Sequence, residues 1–199
     1  MKRITEKQFI EILKSIKIEI DPKYPNSVIL SYLNSSYSRF WSIPEEARKI
    51  PYFIETIINA IDEWKNIYVW KHMGSWTTKI RGNRVNDDVQ AIIYKGIGIP
   101  DDTADIIQFD KNQIPELVTL VFNQLVFGWS VGDDLYIIPD HGKSILKTDH
   151  HDVIHAEFST EETLNQFINV MKENDFNLPA DIPDETFKKP EWMNQEPDK

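Results

Sequence analysis

Apolar residues recur at helical spacing through the first third of the chain and switch to strand-like runs after Asn66. Thr5, Glu6, Lys7 and Gln8 read as a capping box, in which the hydroxyl and the amide each meet a first-turn N–H. Phe9, Ile12, Leu13, Ile16 and Ile20 follow on one stripe and predict a helix. Ile29, Leu33, Tyr37, Phe40 and Trp41 predict a second helix by the same period. Pro51 opens a third, with Ile54, Ile57, Ile58, Ile61 and Trp64 aligned. Each has one apolar face, so each must pack.

From Asn66 the signal changes. Ile67 to Trp70 and Trp76 to Ile80 are β-branched and aromatic runs, and His72 to Ser75 between them reads as a hairpin turn. A short helix is expected from about Asp87 to Lys95, stopped at Gly96, then a strand from Ala104 to Phe109. A strongly apolar helix through Ile114, Leu117, Val118, Val121, Phe122 and Leu125 stops at Gly128. Next comes a three-stranded meander: Asp134 to Ile138, a turn at Pro139 to Gly142, Lys143 to Thr148, a turn at Asp149 to Asp152, and a strand ending at Phe158. Ser159 to Glu162 form a second capping box, and Leu164, Phe167, Ile168 and Met171 give the last helix its stripe.

The expected fold is α+β: a helical N-terminal third packed on a mostly antiparallel sheet that ends in the meander and a C-terminal helix. Residues 1–177 read as one domain, helical in 1–65 and sheet-containing in 66–177. Residues 178–199 hold four of the eleven prolines among mostly charged residues, the composition of an extended acidic tail; it docks on its own domain or on a partner through Phe187, Trp192 and Met193.

Charge and cysteine content narrow the function classes. The chain has no cysteine, which excludes disulfides, thiolate nucleophiles and thiolate metal sites. No apolar run approaches membrane-spanning length and no leader pattern opens the chain, so the expectation is a cytoplasmic protein. Residues 1–65 carry ten Lys or Arg against nine Asp or Glu, whereas residues 66–199 carry twelve against twenty-three. That imbalance serves solubility, repels nucleic acid and anionic lipid, and favours a basic protein partner.

Chemistry concentrates in one segment. Four of the five histidines, His141, His150, His151 and His155, lie within fifteen residues, interleaved with aspartates. A divalent metal would find ligand types in Asp149, His150, His151 and Asp152, completed by a residue such as His72. The meander argues against a single centre, because its two turns cap opposite ends of a strand, roughly 17 Å apart at about 3.3 Å per residue. His155, with residue 146 expected opposite it, shares a face with Leu135, Ile137, Leu146 and Val153. The more apolar set Tyr136, Ile138, Ile145, Ile154, Ala156 and Phe158 is then expected to meet the helices, leaving His155 on a shallow groove as a binding or general-base residue.

Other motifs are weaker. Gly128-Trp-Ser-Val-Gly132 matches the serine-hydrolase elbow around Ser130, but a helix enters and a strand leaves, the reverse of what that strained turn needs. Lys79, Arg81 and Arg84 form a compact basic group able to grip a phosphate or carboxylate. Trp76 and Trp129 adjoin turns and could serve as exposed aromatic anchors. The expected function is a non-catalytic protein-binding or regulatory module, of the kind an acidic inhibitor or immunity-type protein represents, with a basic partner. The alternative is a hydrolase, metal-dependent or not, built on the Asp149 to Asp152 turn.

Overall fold

Thr5 caps a helix as its spacing requires. The structure, a computed structural model, describes residues 1–20, 28–30, 37–61, 63–71, 76, 84–100, 103, 106–127, 134–149 and 152–176. The Thr5 hydroxyl accepts the Gln8 N–H and the Gln8 side chain accepts the Thr5 N–H, opening α1 (Glu6–Ser15) just after β1 (Lys2–Ile4). The helix stops before Ile20, because Lys17 takes a left-handed conformation (φ 60°) and turns the chain into β2 (Ile18–Ile20).

The second expected helix is not one. Its residues contribute β3 (Val28–Leu30) and β4 (Ser38–Ser42). β3 pairs with β2 in a two-stranded ribbon, and β4 pairs with a strand more than a hundred positions along the chain, Trp41 lying opposite Ile154. The apolar spacing fits a helix, but the adjacent aromatics Phe40 and Trp41 also suit a strand, and Trp41 buried edge-on to Phe167 (5.1 Å) decides for the latter. Thus the first third supplies four short strands as well as two helices.

The remaining elements follow the sequence more closely. Pro51 sits in the first turn of α2 (Ile50–Ala60), whose Phe53, Ile54, Ile57 and Ile58 are buried. Trp64, expected on that stripe, lies beyond the helix and folds back so that its Nε1 donates to the Ile58 carbonyl (3.3 Å). β5 (Asn66–Lys71) precedes α3 (Arg84–Gly96), which runs through Gly96 and reverses at Gly98, where φ is +78°. β6 (Ile106–Asp110), α4 (Ile114–Phe127), β7 (Leu135–Pro139), β8 (Ser144–Asp149), β9 (Val153–Phe158) and α5 (Glu161–Glu173) complete the described order. Ile67 and Val69 of β5 are paired with β6 on one side and β7 on the other. The turn at 72–75, residues 77–80 and the tail 178–199 lie outside the described residues.

The fold is α+β. Seven strands form one antiparallel sheet in the order β1-β6-β5-β7-β8-β9-β4. On one face Ile67, Val69, Ile107, Phe109, Leu135, Ile137, Leu146, Ile154, Ala156 and Phe158 join the buried residues of α2, α4 and α5. On the other, Phe9 and Leu13 of α1 meet Tyr68, Trp70, Ile106, Tyr136, Ile138 and Ile145. Phe9 lies 5.7 Å from the Trp70 ring and 6.2 Å from Tyr68. Full burial of each such side chain stabilises by about 1.5–3 kcal/mol.

The turn between β7 and β8 locks this second layer down. Gly142 has φ +66°, and a Cβ there would collide with the carbonyl oxygen of Ile16 at the end of α1. Gly142→Ala is therefore expected to lose at least about 2 kcal/mol in urea titrations, from the left-handed backbone and the displaced helix end together. Gly96→Ala, with no neighbour within 4 Å, is the control and should stay within about 1 kcal/mol of wild type.

Candidate functional site

The β8–β9 connection sets which side chains can act together. Asp149 pairs with Val153, leaving a three-residue loop whose last member, Asp152, has φ +63°. A three-residue loop closing on a left-handed residue shifts the pairing by one from a four-residue turn. Hence Lys147, not Leu146, lies opposite His155. With period-two alternation that slip exchanges the faces of β7 and β8 relative to β9: Ile154, Ala156 and Phe158 meet the helices as expected, but Leu135, Ile137 and Leu146 join them there in place of Tyr136, Ile138 and Ile145. Tyr136, Ile138 and Ile145 share the second face with His155.

On that face five register partners stand in a row across five strands. Trp70 lies opposite Tyr136, Tyr136 opposite Lys147, Lys147 opposite His155, and His155 opposite Phe40. The rings of Trp70 and Tyr136 are 5.7 Å apart, the Lys147 ammonium lies 5.8 Å from the Tyr136 centroid, and His155 stacks on Phe40 at 4.3 Å and 13°. Lys147 also pairs with Asp134 at 3.3 Å, a carboxylate only 1% exposed.

Electrostatics here disfavour a proton acceptor. Burial, assisted by the Lys147 charge and opposed by Asp149, lowers the His155 pKa to about 4. Its Nδ1 lies 3.6 Å from Glu157, too far for a hydrogen bond, and burial pushes the Glu157 carboxyl up. An imidazole with a pKa near 4 is a weak base at neutral pH. His141 is constrained differently: its Nδ1 accepts the Lys143 N–H at 2.9 Å, so in the neutral ring the proton sits on Nε2, which can then donate but not accept.

The metal-ligand types expected at Asp149, His150, His151 and Asp152 are only partly in view. Asp149 ends β8 and Asp152 is the last residue of the loop, while His150, His151 and His72 lie outside the described residues. His141 lies beyond the other end of β8, as the two turns required. Among the described residues no three His, Asp or Glu side chains converge as ion ligands. Trp76 is not at the surface: 1% exposed, it meets the Tyr94 ring edge-on at 5.6 Å, with the Lys71 ammonium 5.8 Å from each ring centroid. An indole adjoining a turn looked available as an anchor, but the core claims it. Arg84 begins α3, whereas Lys79, Arg81, Trp129 and Ser130 lie outside the described residues.

Sequence reasoning passed over the outer face of the helical layer. α2, α4 and α5 carry Glu55, Glu116, Glu161, Glu162 and Glu173 against the single base Lys172. Tyr52 on α2 is 50% exposed, yet held: its ring lies 5.5 Å from Phe176 and its hydroxyl donates to Asn174 at 2.5 Å. Glu55, Glu173 and Asp175 are exposed on the same two segments, α2 and the end of α5. The signal was present, since the buried stripe Phe53, Ile54, Ile57 and Ile58 leaves Tyr52, Glu55 and Asn59 on the opposite side at helical spacing.

Comparison with known protein families, with curated proteins and with solved structures finds no match to this chain. Among the described residues no helix is long and apolar enough to cross a membrane.

The row on the sheet has a measurable pH signature. With His155 near 4 in the native state against an ordinary value of 6.5, the unfolded chain takes up the proton first, so stability falls as pH drops from about 6.5 to about 4. The raised Glu157 pKa works the other way, favouring the native state as its carboxyl protonates, and offsets part of the loss. Across that window His155→Gln should flatten urea-derived stability by on the order of 2 kcal/mol relative to wild type. Parallel pH curves for the two proteins would show that the ring is not desolvated.

Proposed function

We propose that the chain is a non-catalytic protein-binding module for a basic partner, an acidic inhibitor or immunity-type protein, and that it binds through the outer face of α2 and α5. The observation that carries this reading is the five-to-one excess of acidic over basic side chains on α2, α4 and α5, with a half-exposed, positionally fixed Tyr52 among them. An aromatic held in place on a face where acidic side chains outnumber basic ones is the composition of an interface anchor with a steering rim. The two histidines among the described residues weigh the same way: His155 is a weak base at neutral pH, and the Nδ1 of His141 is occupied by a backbone N–H.

The test is capture of partners on immobilised protein, followed by titration calorimetry of the identified partner at two ionic strengths. A basic partner whose affinity falls with salt is expected. Glu55→Lys with Glu173→Lys should abolish binding, and Tyr52→Ala should weaken it by more than tenfold, at least about 2 kcal/mol. Substrate turnover by the purified chain, or a partner whose affinity survives the charge reversals, would overturn the reading.

A further inference from the structure

α4 carries one charged residue, Glu116 in its first turn, and none in the rest of its length. Its outer side is nevertheless in water. Pro115, Thr119 and Val126 are exposed and Phe122 partly so, at spacings of four, three and four that align them on one stripe. The Thr119 hydroxyl donates to the Pro115 carbonyl at 2.8 Å, which turns the polar group of the stripe back onto the helix. The neighbouring helices differ: Glu55 of α2, Asp88 and Lys95 of α3 and Glu162 of α5 all stand exposed. A helix that is apolar outside as well as inside is one that something covers.

Size argues against a separate molecule. Fourteen residues make a helix about 21 Å long, and one stripe about 10 Å wide offers on the order of 200 Å², against about 800 Å² per partner in a standard complex. A segment tethered to the same chain needs far less, because its effective concentration is on the order of millimolar.

The chain delivers such a segment next door. Phe176 stands 5.0 Å from Phe53 and 5.5 Å from Tyr52 of α2, and α2 packs against α4 as well as α5. Phe187 comes eleven residues later, a reach of about 34 Å at about 3.1 Å per residue, whereas neighbouring helix axes lie about 8–10 Å apart. Residues 177–199 hold Phe187, Trp192 and Met193, and four prolines that oppose helix and central strand. They also hold six acidic residues against three lysines, so like charge turns them from the carboxylates of α2 and α5, and α4 is the uncharged surface within reach.

We infer that the segment Phe187 to Met193 docks along the outer stripe of α4, its aromatic side chains against Thr119, Phe122 and Val126. This is a contact within the chain, apart from the α2 and α5 face offered to a basic partner.

The absence of cysteine makes the test direct, since Asn194→Cys gives the full chain a single attachment point for a nitroxide. Paramagnetic broadening is expected at the amides of Thr119, Phe122 and Val126 in the isotope-labelled protein. It should vanish when Thr119→Glu and Val126→Glu put charge on the stripe, both positions being exposed and the fold checked by the melting curve. Tryptic cleavage after Lys188 should be at least about fivefold slower in the wild-type chain than in that charged variant, because only the undocked segment is cut. Broadening spread evenly over the surface, or centred on Tyr52 and Glu173, would overturn the inference. So would broadening of α4 in a mixture of nitroxide-bearing chains with isotope-labelled chains that lack the nitroxide, which would assign the stripe to a second copy.

Discussion

The pairing of β5 with β7 holds the two halves of this protein together. β7 is buried along its whole length, Leu135 and Ile137 toward the helices and Tyr136 and Ile138 toward α1, and β5 alternates in the same way with Ile67 and Val69 against Tyr68 and Trp70. On one side of this pair lie β6 and β1, on the other β8, β9 and β4. A strand buried on both faces has no solvent side on which to place a charge, and any slip in its register moves aromatic residues into aliphatic positions. The two cores therefore depend on one set of backbone hydrogen bonds.

Much of this was legible from local chemistry. The capping box at Thr5 and the Pro51 start require particular residue types at particular positions, and both reappear in the fold; the cap expected from Ser159 with Glu162 falls one residue later, on Thr160, whose hydroxyl accepts the Thr163 N–H, and the second meander turn is one residue shorter than expected. What failed were features settled by distant contacts. Nothing near Phe40 and Trp41 announces β9, so a helical spacing prevailed on paper and a strand prevailed in the fold. The faces of the meander turned on one residue of loop length, set by the left-handed Asp152, which a run of Asp and His does not reveal. Trp76 illustrates the converse, since adjacency to a turn says nothing about what lies above it; Tyr94 and Lys71 fill that space.

The chemistry of the chain divides between its two faces. Lys147 and His155 of the sheet lie partly buried between α1 and the β4 edge, held by an ion pair to Asp134 and by stacking on Phe40, and desolvation lowers the His155 pKa. The helical layer is opposite in character, its carboxylates mostly in water with ordinary freedom to attract counter-charge. Acidity is thus a property of the helices far more than of the sheet, although the histidine-rich meander first draws the eye.

Both borders of the sheet come from the amino-terminal part of the chain: β1 flanks β6, and β4 flanks β9. During synthesis these segments emerge before the strands they pair with, β4 by the wider margin, since its partner β9 lies more than a hundred residues later. Sheet closure is consequently a late event with a large entropic cost of bringing distant segments together. Until then Phe40 and Trp41 lack the strand and the helix that cover them in the finished fold, so their apolar surface is hidden only once β9 and α5 have been made.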